Sequence, residues 1–387
     1  MKYLKKEMKL ENPLAFWTHF DKQDRLFFYN PLTGELIIGA IRWKTFAEGE
    51  SYQNYDLVFS ARTFFQSVRD PKWAGLGNET IAFKYYYVEK DGKQLLYYPE
   101  QAPEEEICGL EDRETKSVRH TYTIADDDYS QWQELFTNVK QEISLKNVDK
   151  VVISREVKIS CTTTVHIESV LKSLREKNPD SFVFAYAKGG RTFLGATPEI
   201  LVQKADDEII SYALAGTIPR NAIDEGTQME ILLNDPKNLH EHRIVRDTIA
   251  DVMKKYCAEV WIDETRILTL KNLYHLKTRL GAKDRSLLTA WVTRLHPTPA
   301  LGGNPVGPAL DIIAREEKHE RGMYAAPLGI MDQNGNGIFV AGIRSALIQD
   351  NMVYAYTGCG IVEGSDCLEE YIETNDKLRT ILEGLVP

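Results

Sequence analysis

The spacing of apolar residues changes character near residue 125. Before it, short runs of hydrophobic and aromatic residues are broken by turn signals, the pattern of paired strands. DRLFFYNPLTGELIIGA (24–40) predicts a strand, a turn through Asn-Pro and Thr-Gly, and a second strand. IAFKYYYVEKDGKQLLYYP (81–99) repeats the theme about Asp-Gly. APEEEICGLEDRE (102–114) carries charge without periodicity and is expected to be an exposed loop. After ADDD (125–128) the period becomes helical: Trp132, Leu135, Phe136, Val139 and Ile143 share one side, with Asp127 or Asp128 available as N-cap. KVVISREVKI (150–159) reads as a strand, and Ile167, Val170, Leu171 and Leu174 mark a helix. FVFAYAKGGRTFLGATPEILVQK (182–204) reads as two strands about Gly-Gly, and EIISYALAGT (208–217) as another strand. Val245, Ile249, Val252, Met253 and Tyr256 mark a long helix starting near 238. GIFVAGIRSALIQDNMVYAYTGCGIV (337–362) reads as a hairpin. A last helix spans about 367–384, with Leu368, Tyr371, Ile372, Leu378 and Ile381 on its apolar side. Strand pairs separated by helices predict an α+β architecture of antiparallel sheets, not a parallel doubly wound one. With no linker, repeat or low-complexity tract, the simplest organisation is one unit. Residues 1–125 form a strand-rich N-terminal portion of it, and 126–387 the portion that carries the chemistry.

Composition narrows the classes. A hydrophobic fraction of 43% and a charged fraction of 27% over 387 residues are those of a globular protein. The net charge of −10 argues against a nucleic-acid partner but leaves room for a small anionic ligand at a local cationic cluster. Cysteines 108, 161, 257, 359 and 367 are odd in number and scattered, which predicts free thiols in a reducing compartment. MKYLKKEMKLENP has basic residues but no apolar run behind them, so no signal peptide is expected. No run of about 18 apolar residues occurs, so no membrane span is expected and the predicted location is cytoplasmic.

Candidate chemistry lies in the polar residues on inward faces. NLHEHRIVRD (238–247) resembles a zinc motif, but His-Glu-x-x-His needs a histidine at 244, which is Ile244. His240 and His242 are two apart and point in different directions on a helix. Glu241 precedes Val245 by four residues and Ile249 by eight, so it shares the inward stripe. Glu370, Glu373 and Lys377 form another single stripe. Two helices aiming carboxylates inward suit a hard cation such as Mg²⁺; the alternative is pairing among Glu370, Glu373, Lys377 and neighbouring cations. LAGT (214–217), LGGNPVG (301–307) and TGCGIV (357–362) let a ligand approach backbone amides. With Arg344, read as lying inside a strand, they suggest an anionic small molecule. Lys150, opening a strand, and Glu199, after Thr-Pro, read as surface residues from their own surroundings.

Ten motifs in order carry a resemblance: DKVVISRE, FLGATPEIL, ALAGT, HEHRIV, YHLKTRL, LHPTPALGGNP, ERGMYAAPLG, FVAGIRSALI, GCGIVEGSD and EEYIETNDKL. Together they resemble the chorismate-utilising enzymes, a family that includes isochorismate synthase, salicylate synthase and the synthase components of anthranilate and aminodeoxychorismate formation. The resemblance spans roughly 130–384, while FSARTFF (59–65) and FFYNPLTGELIIGA look like the menaquinone-type isochorismate synthases. It implies a single large fold like anthranilate synthase component I, with antiparallel sheets and surrounding helices. Lys150 stands where amine-adding members carry Gln, which implies water as nucleophile, Lys150 as general base and no glutamine amidotransferase subunit. Ala215 replaces the attacking lysine of the aminodeoxychorismate enzymes, which speaks against covalent catalysis. Ala300 and Leu301 match the isochorismate synthases; salicylate and anthranilate members have Thr at the first of these.

The resemblance implies Mg²⁺ held by Glu241 and Glu373, with Glu370 acting through water. Lys150 deprotonates a water that attacks C2 of chorismate. Glu199 protonates the departing C4 hydroxyl and should have a raised pKa. Tyr324, Arg344 and Lys377, with backbone at Thr217, Gly358 and Gly360, hold the substrate carboxylates, and His275 bonds near the C4 leaving group or the ring carboxylate. Isochorismate synthesis is the expected activity; salicylate synthesis and chorismate binding without catalysis are the alternatives, and either menaquinone or siderophore formation is an open destination. Three positions depart from the family pattern: Asn238 where many relatives carry an acid, Cys359 in place of Ala, and Ala326 in place of Gly.

Overall fold

The computed structural model describes residues 3–47, 49–101, 106–107, 109–125, 129–220 and 224–387. Among them are twenty strands and eight α-helices, and the strands pair antiparallel throughout. One run of strands passes from Lys150–Cys161 through Met352–Ile361, Ser345–Gln349, Arg191–Thr197 and Phe182–Lys188 to Arg25–Asn30, Glu35–Phe46 and Glu79–Lys90. There the pairing branches into Leu57–Ala61 and a second run: Pro327–Asp332, Gly337–Ala341, Ile200–Ala205, Glu208–Pro219 and Leu273–Lys283. Strands from residues 1–125 are thus hydrogen-bonded into both runs.

Alternate residues feed different cores, as the two-residue period of a strand requires. Leu26 and Phe28 join one apolar cluster with Phe59, Phe184, Phe193 and Tyr356. Phe27 joins another with Val170, Leu171, Leu174, Leu378 and Ile381, under the helices Ile167–Lys177 and Cys367–Leu385. Burial on both faces explains why strands such as FVFAYAK read as continuous hydrophobic runs. On the second run, Val245, Ile249 and Met253 of the helix Pro236–Tyr256 pack against Val202, Ile209, Ala213 and Leu280.

Several expectations need correction. Residues 182–204 hold three strands, as do 337–362, because each segment turns once more than its hydrophobicity shows. Arg344 is not inside a strand; it lies between Gly337–Ala341 and Ser345–Gln349 with φ of 50°, a left-handed conformation that ends one strand and re-aims the chain. The helix Glu225–Asn234 is absent from the periodicity reading, since Leu232 is its one fully buried residue and no stripe shows. The long helix begins at Pro236, with Asp235 as N-cap. In the last helix Leu368 and Ile372 are 53% and 48% exposed. The buried stripe starts instead with Glu370 and Thr374 and turns apolar only at Leu378, Ile381 and Leu385. The acidic segment, where described, lies in no strand or α-helix and is largely exposed, as expected. Residues 102–105 and 108 lie outside the described residues, but Glu106 binds Lys84 (2.6 Å) and Tyr85 (2.8 Å), and Asp112 accepts from the amide of Asn12 (3.0 Å). The N-cap expected at Asp127 or Asp128 also lies outside them. Cys161, Cys257, Cys359 and Cys367 are free thiols. No helix among the described residues is long and apolar enough to cross a membrane.

Candidate active site

The ends of strands from both runs meet two helices around one cavity with about 690 Å³ of atom-free space. Glu199, Thr217, Glu241, His275, Ala300, Tyr324, Arg344, Gly358, Gly360, Glu373 and Lys377 all line it. Lys150 and Glu370 stand just behind: Lys150 Nζ lies 2.8 Å from Glu241, and Glu370 binds Lys237 at 2.7 Å. Residues as far apart as 150 and 377 therefore converge, although a larger groove elsewhere, lined by Trp132, Arg155 and Arg315, holds none of them.

Local backbone chemistry shapes the walls. Opposite Gly358 and Gly360, the amides of Ser154 and Val152 turn away to Glu317 Oε1 (2.7 Å) and the Gly302 carbonyl (2.8 Å). These are non-hydrogen-bonded pair positions, so both glycines aim their own amides away from the Lys150–Cys161 strand. The neighbouring strand stops at the Ser345–Tyr356 pair, which leaves that side open to the cavity. In LAGT, the register shifts between Leu214 and Thr217, so Ala215 and Gly216 form a bulge. Gly216 has φ of 82°, and a Cβ there would stand 3.0 Å from the Asn238 carbonyl. The third glycine run serves packing instead. A Cβ on Gly303 would stand 2.3 Å from the Lys150 carbonyl, so LGGNPVG permits strand contact behind Lys150. The Thr217 amide, expected to face substrate, donates to Asn238 Oδ1 at 2.8 Å.

The electrostatics separate the acids. Glu199 is 6% exposed, and burial pushes its carboxyl up from 4.5 to about 7 despite the opposing pull of Lys150, Lys377 and Arg344. Burial brings Arg344 down to about 10. Its guanidinium can only donate, so His275 Nε2, 3.3 Å away, accepts, and Nδ1–H donates to Thr217 Oγ1 at 2.8 Å. Burial, Arg344 and Lys377 all hold His275 well below the usual range, in keeping with this neutral tautomer. Burial works against the charge on Lys377, but Glu373 at 2.6 Å outweighs it and the ammonium is favoured; Nζ also donates to the Gly358 carbonyl at 3.1 Å.

A family model described as chorismate binding enzyme matches residues 78–386. The chain belongs to this family. Similar proteins include isochorismate synthase MenF of Bacillus subtilis (strain 168), 38% identical over 264 residues, which are 67% of this chain and 56% of that protein. Isochorismate synthase EntC of Escherichia coli (strain K12) is 36% identical over 243 residues, 61% of this chain and 62% of that one. The matched region thus spans less than two thirds of either relative. The solved structure of MenF, the menaquinone-specific isochorismate synthase from Escherichia coli, superposes with a TM-score of 0.87 at 22% identity, covering 99% of this chain and 94% of that one. At that identity the likeness speaks for the fold.

In this member of the family three carboxylates come from two helices, and each faces a lysine: Glu241 and Lys150 (2.8 Å), Glu370 and Lys237 (2.7 Å), Glu373 and Lys377 (2.6 Å). Among the described residues no three His, Cys, Asp or Glu side chains are close enough as they stand to form a metal cage. The donors nevertheless fit a hard cation. All are carboxylates, and burial together with the Glu373 charge raises Glu370, so two of them feel each other. Mg²⁺ needs only one or two carboxylates, the rest of its octahedron being water and ligand oxygen.

His240 is exposed and takes no part. His242 is structural. Its Nδ1 donates to the Ala215 carbonyl (3.0 Å), its Nε2 accepts from Thr278 (2.7 Å), and burial brings it down to about 4. It thereby fixes the helix that presents Glu241 to the bulge. Sequence reasoning missed Lys237 and the buried pair Arg321–Glu317. Arg321 grips the carbonyls of Leu301 (2.9 Å) and Val152 (2.7 Å), two residues of the cavity wall. The one available signal was a charged ERG triplet inside an otherwise apolar motif. Of the departures, Asn238 anchors Thr217, Cys359 aims its thiol at the Glu370 carbonyl (3.7 Å), and Ala326 is buried in the core outside the cavity wall.

A Cβ on Gly360 would fall 2.5 Å from Lys150 Cε and 2.6 Å from Glu241 Oε1. Both are ends of flexible side chains. Gly360→Ala is therefore expected to keep the fold and displace the pair, lowering kcat by at least about 10-fold, since misplacement by about 1 Å can cost more than that. Wild-type kcat in a folded Gly360→Ala protein would show that the pair's position is immaterial.

Proposed function

We propose that this chain is an isochorismate synthase, isomerising chorismate by adding water at C2 and releasing the C4 hydroxyl as water. The observation that carries the reading is Glu199, a buried acid at about 7, in one cavity with Arg344, Lys377 and, just behind Glu241, Lys150. The names and identities of the relatives support it. Chorismate is a dicarboxylate, and Arg344, Lys377 and the amides of Gly358 and Gly360 offer donors for two carboxylates. Lys150 Nζ accepts the proton of the attacking water, for which it must first part from Glu241 and give up its own ammonium proton to solvent. Glu199 gives its proton to the C4 oxygen as that bond breaks, and the lysine proton returns to Glu199 through solvent, so charge and atoms balance. His275, with both ring nitrogens engaged, orients Arg344 and Thr217. Glu241 and Glu373, with Glu370 through water, would hold Mg²⁺, which would supply Lewis-acid charge to the substrate carboxylate. Ala215 offers no nucleophile, so no covalent intermediate forms, and a reaction with water needs no amidotransferase partner. The enzyme acts in the cytoplasm.

Incubating the protein with chorismate and Mg²⁺ should release isochorismate. EDTA should stop turnover and Mg²⁺ restore it. Stoichiometric pyruvate with salicylate would make the chain a salicylate synthase, and no turnover of bound chorismate would make it a binding protein.

A further inference from the structure

Of the three lysines facing the carboxylates, Lys150 and Lys377 have roles in the proposed chemistry; Lys237 has none, and it does not line the cavity. Helix stability does not account for it either. Lys237 follows Pro236 in the first turn of its helix, the end where the helix dipole disfavours a cation. It also precedes Glu241 by four residues, the weaker order for such a pair. Its side chain nevertheless reaches a different helix and binds Glu370, which is 3% exposed, at 2.7 Å. Glu373 and Glu241 also act on its ammonium. One cation therefore answers all three carboxylates assigned to the metal, from a stem still 31% exposed and able to swing towards water.

We propose that Lys237 is the resident counter-cation of this carboxylate cluster, and that a divalent cation binds by displacing its ammonium from Glu370. This rests on the reading of Glu241, Glu370 and Glu373 as the Mg²⁺ site. Without metal, the ammonium keeps a buried carboxylate from standing unpaired beside Glu373. With metal, the ion takes over that charge, and the lysine turns outward. Lys237 thus holds the metal-free cluster together and lowers its affinity for the metal.

The test is metal binding by the whole chain without chorismate, with Mg²⁺ by calorimetry and Mn²⁺ by electron paramagnetic resonance. Lys237→Met keeps the stem and removes the charge. It should bind Mg²⁺ at least about 10-fold more tightly than wild type, because a competitor and a repelling charge both go. Its Tm should fall below wild type in EDTA, and the gap should close in saturating Mg²⁺. Lys237→Gln should shift affinity in the same direction and serves if the methionine variant does not fold. Lys237→Arg, which keeps the charge, should stay near wild type. Equal or weaker Mg²⁺ binding by the uncharged variants, with the same Tm loss with and without metal, would mean that Lys237 merely supports Glu370, and the proposal falls while the metal site stands. If wild type takes up neither Mg²⁺ nor Mn²⁺ at millimolar concentration, the metal reading falls and takes the proposal with it.

Discussion

Glu199→Gln is expected to abolish turnover and, increasingly as pH rises above about 4.5, to stabilise the protein. An amide of the same shape has no proton to give, and loss of a general acid removes about 10²–10⁴-fold in rate. The stability effect follows from the same burial. The carboxyl titrates at about 7 in the folded protein, against 4.5 for an unperturbed one. Below pH 4.5 both folded and unfolded chains carry the protonated acid, and Glu199 brings no penalty. As pH rises from 4.5 towards 7 the unfolded chain ionises first, so stability is lost; above about 7 the loss is complete. A difference of about 2.5 units corresponds to about 3 kcal/mol. The glutamine variant should therefore resist urea like wild type at pH 4.5 and better than wild type at pH 8.5. The same acid predicts that wild-type kcat/KM declines as pH rises through about 7. Denaturation curves that differ equally at both pH values would remove burial as the cause, and a variant keeping more than half of wild-type kcat would remove Glu199 from the reaction.

Lys150→Ala should lose turnover by about 10²–10⁴-fold, as the removal of a sole general base does. It should also lose stability. Considered alone, a base can be deleted with little harm to the fold, but Lys150 is 1% exposed and bonded to Glu241, so its loss strands a largely buried carboxylate. Breaking such a pair from one side costs about 3 kcal/mol. The cost should be largest in EDTA and smaller in Mg²⁺, because a cation at Glu241 replaces the missing charge. Lys150→Ala combined with Glu241→Gln should regain most of the stability and none of the activity. A single variant as stable as wild type in EDTA would contradict the pairing, and one with more than half of wild-type kcat would contradict the role.

The strand pairs Arg25–Asn30 with Glu35–Phe46 and Glu79–Lys90 with Lys93–Tyr98, and the helices Tyr129–Ser144, Ile167–Lys177 and Pro236–Tyr256, were legible as elements because periodicity and turn chemistry act within about 20 residues. Glu241 was legible as an inward residue for the same reason, since its position relative to Val245 and Ile249 is a property of the helix alone. Ordered motifs pointed to the family and, through it, to a residue set that does converge on one cavity. What each group does there was decided by contacts between distant segments. Nothing near Lys150 in the chain reveals that it is buried against Glu241, 91 positions away. Thr-Pro-Glu gives no hint that Glu199 is enclosed and held near 7, because desolvation depends on everything packed around it. Arg344 sits between apolar strand residues, and only a left-handed turn, imposed by strands on both sides, brings its guanidinium to His275. Lys237 reads as an ordinary helix-surface lysine until the last helix places Glu370 within reach. The sequence by itself determined most of the elements, the inward face of helices such as Pro236–Tyr256, and the family. Only the tertiary structure decided which charges are paired and which are desolvated, because Coulomb and solvation energies depend on distance and burial in space and not on position along the chain.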